Sequence, residues 1–282
     1  MASNPKQSTL ANAAATNAQK LSAYFLKRDR AIIAYSGGVD SGLLAYAAHR
    51  VLGNNMLAAL ADSPSLSRKE YRFAVKFAQE HGIPLQIIRT AEMENPHYVA
   101  NPANRCYYCK KSLFETIEEL RKTLAKSSAE SVWPIFYGAN LDDLGDFRPG
   151  MQAAREASIQ APYIELRFDK QTIRHICTHY RLEIAQKPAM PCMASRIAYG
   201  ETVTAEKLSQ VEKAEDFLYD LGFRVLRVRH HGETARIEVP PQDFAAILAH
   251  QDRIRQKFHE LGFVYISLDL DGFKSGSLNA VL

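Results

Sequence analysis

Ser36-Gly37-Gly38-Val39-Asp40-Ser41 is the stretch best suited to hold an anion. It follows the apolar run Ala31–Tyr35, which reads as a buried parallel strand, and precedes Gly42–Ala48, which reads as a helix. A strand that breaks at two glycines and restarts as a helix presents open backbone N–H groups at a positive helix end, where phosphate binds. The spacing matches neither the Walker loop nor the dinucleotide G-x-G-x-x-G. The amides of Gly37 to Ser41 would hold a pyrophosphate, and the Ser36 and Ser41 hydroxyls would donate to its oxygens. Asp40 alone repels phosphate, but it makes sense if Mg²⁺ bridges its carboxylate to the ligand. A plain helix N-cap is the competing role for Asp40.

Cysteines form a second constellation. Cys106-Tyr107-Tyr108-Cys109 opens a helix read from Lys110, and Cys192 lies in a proline-flanked linker. A structural zinc site wants four ligands, and an Fe–S cluster normally takes four cysteines. Three thiolates on a [4Fe–4S] cube would leave one iron open, whereas an added histidine would make zinc. Dithiol redox chemistry, zinc and a cluster all remain open on spacing alone. Cys177, between Ile176 and Thr178 on a helix, reads as a small buried hydrophobe.

Acids and arginines form a third. Gly138-Ala139-Asn140-Leu141-Asp142-Asp143 ends a strand, so Asn140, Asp142 or Asp143 could hold Mg²⁺ or a ribose, with solvated turn acids as the alternative. Ala61-Asp62 and Thr90-Ala91-Glu92 fall at two further strand ends, where the nucleoside should lie. Arg196 follows Cys192 by four residues. Arg227 and Arg229 alternate with Leu226 and Val228 and so face one side of a strand. Their forked guanidiniums suit a phosphate or carboxylate, although an ordinary solvated face would look the same.

These residues need a frame. Strand-like runs at Ala31–Tyr35, Met56–Ala61, Leu85–Thr90, Val132–Gly138 and Tyr163–Phe168 alternate with helical patterns at Ser41–Leu52, Ser67–His81, Lys110–Lys126 and Gly150–Ala157. That alternation predicts an α/β fold, a doubly wound parallel sheet whose ligands sit at the carboxyl strand ends. A helix at Asp169–Tyr180 closes it. Beyond the linker, a helix at Thr204–Leu221, strands at Arg224–Arg229 and Ala235–Val239, a helix at Gln242–Leu261 and a strand at Val264–Leu270 predict a smaller C-terminal α+β domain. The expected division is a flexible tail over 1–20, the α/β domain over 21–199 and the small domain over 200–282.

Composition bounds the function. A chain of 282 residues with 46% hydrophobic and 23% charged residues is globular, and no apolar run reaches the ~18 residues of a membrane span. The N-terminus lacks the apolar core of a secretion signal. Four cysteines are too few for a disulfide scaffold and point to a reducing cytoplasm. A net charge of +4 suits an anionic small molecule and does not by itself predict a nucleic-acid surface.

The loop Ser36–Ser41 resembles the SGGxDS loop of the PP-loop ATP pyrophosphatases, which hold ATP while AMP is transferred to a substrate. The wider set resembles the LarE sulfur transferases over roughly Tyr24 to Asn279. It comprises Asn104–Lys110, Gly138–Asp143, Gly145–Gly150, Lys187–Arg196 and Leu268–Ser277. The resemblance implies ATP as a cofactor; the residues themselves suggest Mg²⁺ beside it, with Asp40 and Asp143 as its ligands. It implies adenylylation of a carboxylate of pyridinium-3,5-biscarboxylic acid mononucleotide, then attack by sulfur to give a thiocarboxylate and AMP. Ser36, Gly37, Gly38, Val39, Asp40, Ser41, Ala61 and Asp62 would bind ATP. Arg196, Arg227 and Arg229 would bind the substrate's phosphate or carboxylate. Cys192 stands at the position of a sacrificial cysteine. With Cys106 and Cys109 also present, the chain looks like the members in which three cysteines ligate a [4Fe–4S] cluster. A homo-oligomer, hexameric in pattern, is also implied, while the source of sulfide is not. Competing readings are a tRNA-thiolating PP-loop enzyme, which the lack of a basic or aromatic RNA module argues against, and a zinc-stabilised nucleotide-binding module.

Overall fold

The computed structural model describes residues 5–126, 132–145 and 148–274. Asp146, Phe147 and Ser275–Ser277 of the expected motifs, and Met1–Asn4 of the expected tail, lie outside the described residues. The chain forms two compact units. One comprises the residues up to Ser63, Arg68–Ala91 and Cys106–Met190; the other comprises Pro64–Ser67, Glu92–Arg105 and the chain from Pro191 onward.

The first unit is built on four parallel strands in the order β3-β2-β1-β4: β1 (Ala31–Tyr35), β2 (Met56–Ala61), β3 (Leu85–Ile88) and β4 (Ile135–Phe136). Every residue of β1 is buried, as expected of a continuous apolar run in the middle of a parallel sheet. Helices α1 (Pro5–Phe25), α2 (Val39–Leu52), α3 (Arg68–Glu80), α4 (Arg105–Lys126), α5 (Pro149–Glu156) and α6 (Lys170–His179) complete it. The chain runs outward from β1 through β2 to β3, then returns to the other side of β1 for β4. The loop after β1 therefore sits at the switch point, where the crevice of such a sheet opens.

Two expectations are corrected here. The residues read as a flexible tail are helical from Pro5, and Ala14, Ala18, Leu21 and Phe25 are buried at helical spacing where α1 packs on α2 and α6. The alternating run Tyr163–Phe168 is not a fifth strand. Pro162 opens a single helical turn, Pro162–Glu165, because a proline preset near helical φ suits a first helical position. The Phe168 N–H then closes back on the Tyr163 carbonyl (2.7 Å).

In the second unit, α7 (Ala205–Asp220) starts at the N-cap Thr204, whose hydroxyl accepts from the Lys207 N–H (3.2 Å). Strands β5 (Arg227–His231) and β6 (Thr234–Glu238) form an antiparallel hairpin through Gly232 (φ +58°) and Glu233. β7 (Tyr265–Leu268) pairs parallel with β6. The expected single helix over Gln242–Leu261 is broken at His250 into α8 (Phe244–Ala249) and α9 (Gln251–Glu260). The boundary expected at residues 199 and 200 falls at Met190–Pro191 instead, and the stretches 64–67 and 92–105 cluster with the C-terminal part.

Candidate functional site

The loop between β1 and α2 has the open amides that the sequence promised. Gly38 is the N-cap, in extended conformation, and the first helical hydrogen bond runs from the Gly42 N–H to the Gly38 carbonyl (2.8 Å). The N–H groups of Val39, Asp40 and Ser41 precede that bond and have no intrahelical acceptor. Gly37 has φ +72°, and a Cβ built on it would stand 2.5 Å from the Ala74 Cβ, so only glycine fits between the loop and α3. The Ser36 N–H donates to the Ser41 hydroxyl (3.1 Å), and the two hydroxyls lie 3.0 Å apart. Ser41 therefore shapes the loop as well as facing it.

Asp40, in the first turn of α2, gathers partners from three distant segments. Its carboxylate accepts from Asn140 Nδ2 (3.3 Å) and pairs with Lys170 Nζ (2.5 Å), and its backbone carbonyl accepts from the Tyr163 hydroxyl (2.8 Å). Burial, with Asp40 adding to it, raises the Tyr163 pKa well above the ordinary phenol value, so Tyr163 is a permanent donor. At Gly138 an added Cβ would come within 3.0 Å of Asp40 and Ser41, so the chain leaving β4 presses against the loop. Asp143 accepts the Asn140 N–H (3.0 Å) and pairs with Arg148 (3.2 Å), while Asp142 accepts the Lys170 N–H (3.0 Å). Oxygen donors of this kind suit a hard cation that keeps most of its waters. Among the described residues, however, no three His, Cys, Asp or Glu side chains are grouped to hold a metal ion by themselves.

Ala61 and Asp62 close the neighbouring strand. Asp62 donates its N–H to the Ile88 carbonyl (2.8 Å) and pairs with Arg68 (2.6 Å). Spacing did not reveal Lys170 or Lys187. Lys187 belongs to a motif picked out for Cys192, yet its ammonium donates to the Gly37 carbonyl (2.9 Å).

Cys106 is exposed and Cys109 partly buried in the first turn of α4, three residues apart and therefore on one face. Cys177 is buried, and burial pushes its thiol pKa up to about 12, as an inert core residue requires. Cys192 is exposed in the second unit, at the N-cap of the turn Met193–Arg196.

Three buried guanidiniums clamp the backbone around Cys192. Arg196 donates to the carbonyls of Pro191 (2.7 Å) and Cys192 (3.2 Å) and grips Glu215 with Nε and Nη2, both at 3.0 Å. Arg105 donates to the Ala194 carbonyl (3.0 Å) and to Asn101. Arg229 donates to the Ser195 carbonyl (2.8 Å) and makes a fork with Glu238. The expectation that all three candidate arginines greet substrate is thus corrected for Arg196, which is 0% exposed and committed to Glu215 and the turn. Arg229 is likewise tied into the scaffold. Arg227 differs: it is buried, donates to its own Leu226 carbonyl (2.7 Å), lies over the Phe273 ring and makes no ion pair among the described residues. Burial, reinforced by Arg196 and opposed by Glu215, holds its pKa below the ordinary value.

No family model matches the chain. It is 44% identical to an uncharacterized protein of Synechocystis sp. over 94% of this chain and 97% of that protein. It is 33% identical to the pyridinium-3,5-bisthiocarboxylic acid mononucleotide synthase of Lactiplantibacillus plantarum over 95% of each chain. A partial similarity, 32% identity over 33% of this chain and 30% of the other, links it to a subunit of the glutamine-hydrolyzing GMP synthase of Thermoplasma volcanium.

Proposed function

This chain belongs to the family of pyridinium-3,5-bisthiocarboxylic acid mononucleotide synthase, the LarE sulfur transferases, and from that premise we propose how its residues divide the work. ATP binds at the loop Ser36–Ser41, with its phosphates on the open amides of α2 and its nucleoside toward Ala61 and Asp62. A carboxylate of pyridinium-3,5-biscarboxylic acid mononucleotide attacks the α-phosphorus, and pyrophosphate leaves. Sulfur then attacks the acyl-adenylate carbon, AMP leaves with the bond electrons, and a thiocarboxylate remains. A carboxylate resists attack until its oxygen can depart as AMP, which is why the loop is needed. The observation that carries this reading is the set of open amides at the switch point, with Asp40 held between Asn140 and Lys170. The partial likeness to a GMP synthase component supports a nucleotide-handling segment.

Asp40 and Asp143 are the carboxylates for Mg²⁺, whose charge would offset that of the phosphates. Arg227 receives the substrate phosphate, while Arg196 and Arg229 hold the Cys192 turn in place. Cys106, Cys109 and Cys192 would hold a [4Fe–4S] cluster, which would supply an iron with an open position for a sulfide. The donor chemistry suits such a cluster, since thiolates are soft ligands and Cys106 and Cys109 share a helix face, while no three such side chains stand grouped among the described residues. The second reading makes Cys192 a sacrificial donor left as dehydroalanine; its exposure on a clamped backbone favours that reading. No described helix is long and apolar enough to cross a membrane. A cytoplasmic homo-oligomer, hexameric as the resemblance implies, completes the proposal.

The test is pyrophosphate release from ATP by anaerobically prepared protein, with and without the biscarboxylic nucleotide, alongside iron analysis. Substrate-dependent release with iron lost in Cys106→Ala supports the cluster form. Transfer of one sulfur per chain by Cys106→Ala, with a mass loss at Cys192, supports the sacrificial form. Failure to release pyrophosphate under any of these conditions rejects both.

A further inference from the structure

Lys187 is a largely enclosed cation on a loop carbonyl. Its side chain is 10% exposed, its ammonium donates to the Gly37 carbonyl at 2.9 Å and pairs with Glu70 at 2.8 Å, and it lies 3.5 Å from the centre of the Phe73 ring. Just before it, Arg174 holds the carbonyls of Ala185 and Lys187 itself, the latter at 2.8 Å, which fixes the backbone from which the side chain reaches. Burying an ammonium is costly, and desolvation lowers the Lys187 pKa although Glu70 opposes it. The ammonium is shared between the Glu70 carboxylate on α3 and the Gly37 carbonyl, so it ties the loop to that helix.

The carbonyl that Lys187 holds is a decisive one. In a planar trans peptide the C=O of one residue and the N–H of the next point in opposite directions. Anchoring the Gly37 carbonyl on one side therefore aims the Gly38 N–H to the other. Gly37 has φ +72° and no side chain, so its peptide can reorient at little intrinsic cost. Turned over, the same peptide would present its carbonyl oxygen to a phosphate and repel it.

We propose that Lys187 is a positioning residue of the phosphate loop: enclosed between the Gly37 carbonyl, the Glu70 carboxylate and the Phe73 ring, it locks the Gly37–Gly38 peptide in the orientation that binds a polyphosphate. The inference rests on the reading of Ser36–Ser41 as an ATP site and adds a determinant that lies 150 residues away in sequence. Its specificity is for the β- and γ-phosphates, since those groups are what the loop receives.

Calorimetry with pyrophosphate and with AMP tests it on the full-length protein. Lys187→Met and Lys187→Gln should each weaken pyrophosphate binding at least tenfold while AMP binding stays within twofold, and Lys187→Arg should recover most of the loss. If the Met variant does not fold, the Gln variant decides. Unchanged pyrophosphate affinity in either folded variant overturns the proposal. So does a parallel loss of AMP binding, which marks a general packing role. If the parent protein binds neither ATP nor pyrophosphate, the ATP-site reading itself fails, a result distinct from a variant that behaves like a competent parent.

Discussion

Lys170 Nζ lies 2.5 Å from the Asp40 carboxylate, so a lysine already neutralises the group assigned to magnesium. Both side chains retain some access to solvent. A magnesium ion bound as proposed would share or contest that carboxylate with the lysine. Asp40→Asn should reduce pyrophosphate release on the order of 10²-fold, the scale of losing one electrostatic group at a reacting phosphate, and leave iron content unchanged. Lys170→Met should lower the Mg²⁺ concentration needed for half-maximal release, because the competing charge is gone. A magnesium titration of pyrophosphate release by each variant reads both effects.

The two loop glycines should respond differently. Gly37→Ala forces a side chain into a left-handed conformation, costing about 1–3 kcal/mol, and drives its Cβ onto Ala74. Gly38 is extended, and an added Cβ would meet only the Ser36 hydroxyl at 3.5 Å. Thermal melts should show Gly37→Ala clearly destabilised and Gly38→Ala near the parent. Equal melting temperatures for the two would contradict the close approach of α3.

Arg196 and Arg227 should also part company. Arg196→Ala strands the Glu215 carboxylate, and breaking a buried pair from one side costs about 3–5 kcal/mol. Arg227→Ala breaks no ion pair among the described residues. It should fold, bind ATP normally and lose affinity for the phosphate of the carboxylate substrate by tenfold or more. Calorimetry and melting curves separate a substrate ligand from a scaffold residue.

Acid should weaken the second unit through His230 and His231. Burial lowers the pKa of both, with Lys207 adding to the effect at His230 and Arg236 at His231; Glu201 opposes it at each. The folded protein thus keeps both rings neutral where the unfolded chain takes up protons near the ordinary histidine value of about 6.5. Stability is present above that value and is lost as pH falls through it. Melting temperature should decline between about pH 7 and pH 5, and His230→Gln/His231→Gln should flatten that slope. A slope unaffected by the double variant would assign the acid sensitivity elsewhere.

The local elements were legible because their signals are local. The apolar run of β1, the paired glycines after it and the helix starts at Thr204 and Asp169 each depend on a few neighbouring residues, and each stands where the pattern indicated. Tyr163–Phe168 misled because alternation is a weaker instruction than the proline before it. The N-terminal stretch misled because small, polar residues conceal a helix whose buried face is two alanines, a leucine and a phenylalanine.

What the amino-acid order determined by itself was the glycine loop between β1 and α2 and the parallel α/β frame, since backbone conformation and hydrophobic period depend on near neighbours. Only the tertiary structure decided which charges meet. Lys170 reaches Asp40 across 130 residues and Lys187 reaches Gly37 across 150, while Arg196, four residues from Cys192, turns inward to Glu215. Those pairings follow from strand order and from burial, which makes an unpartnered charge too costly to leave alone, and neither is written in the spacing of residues along the chain.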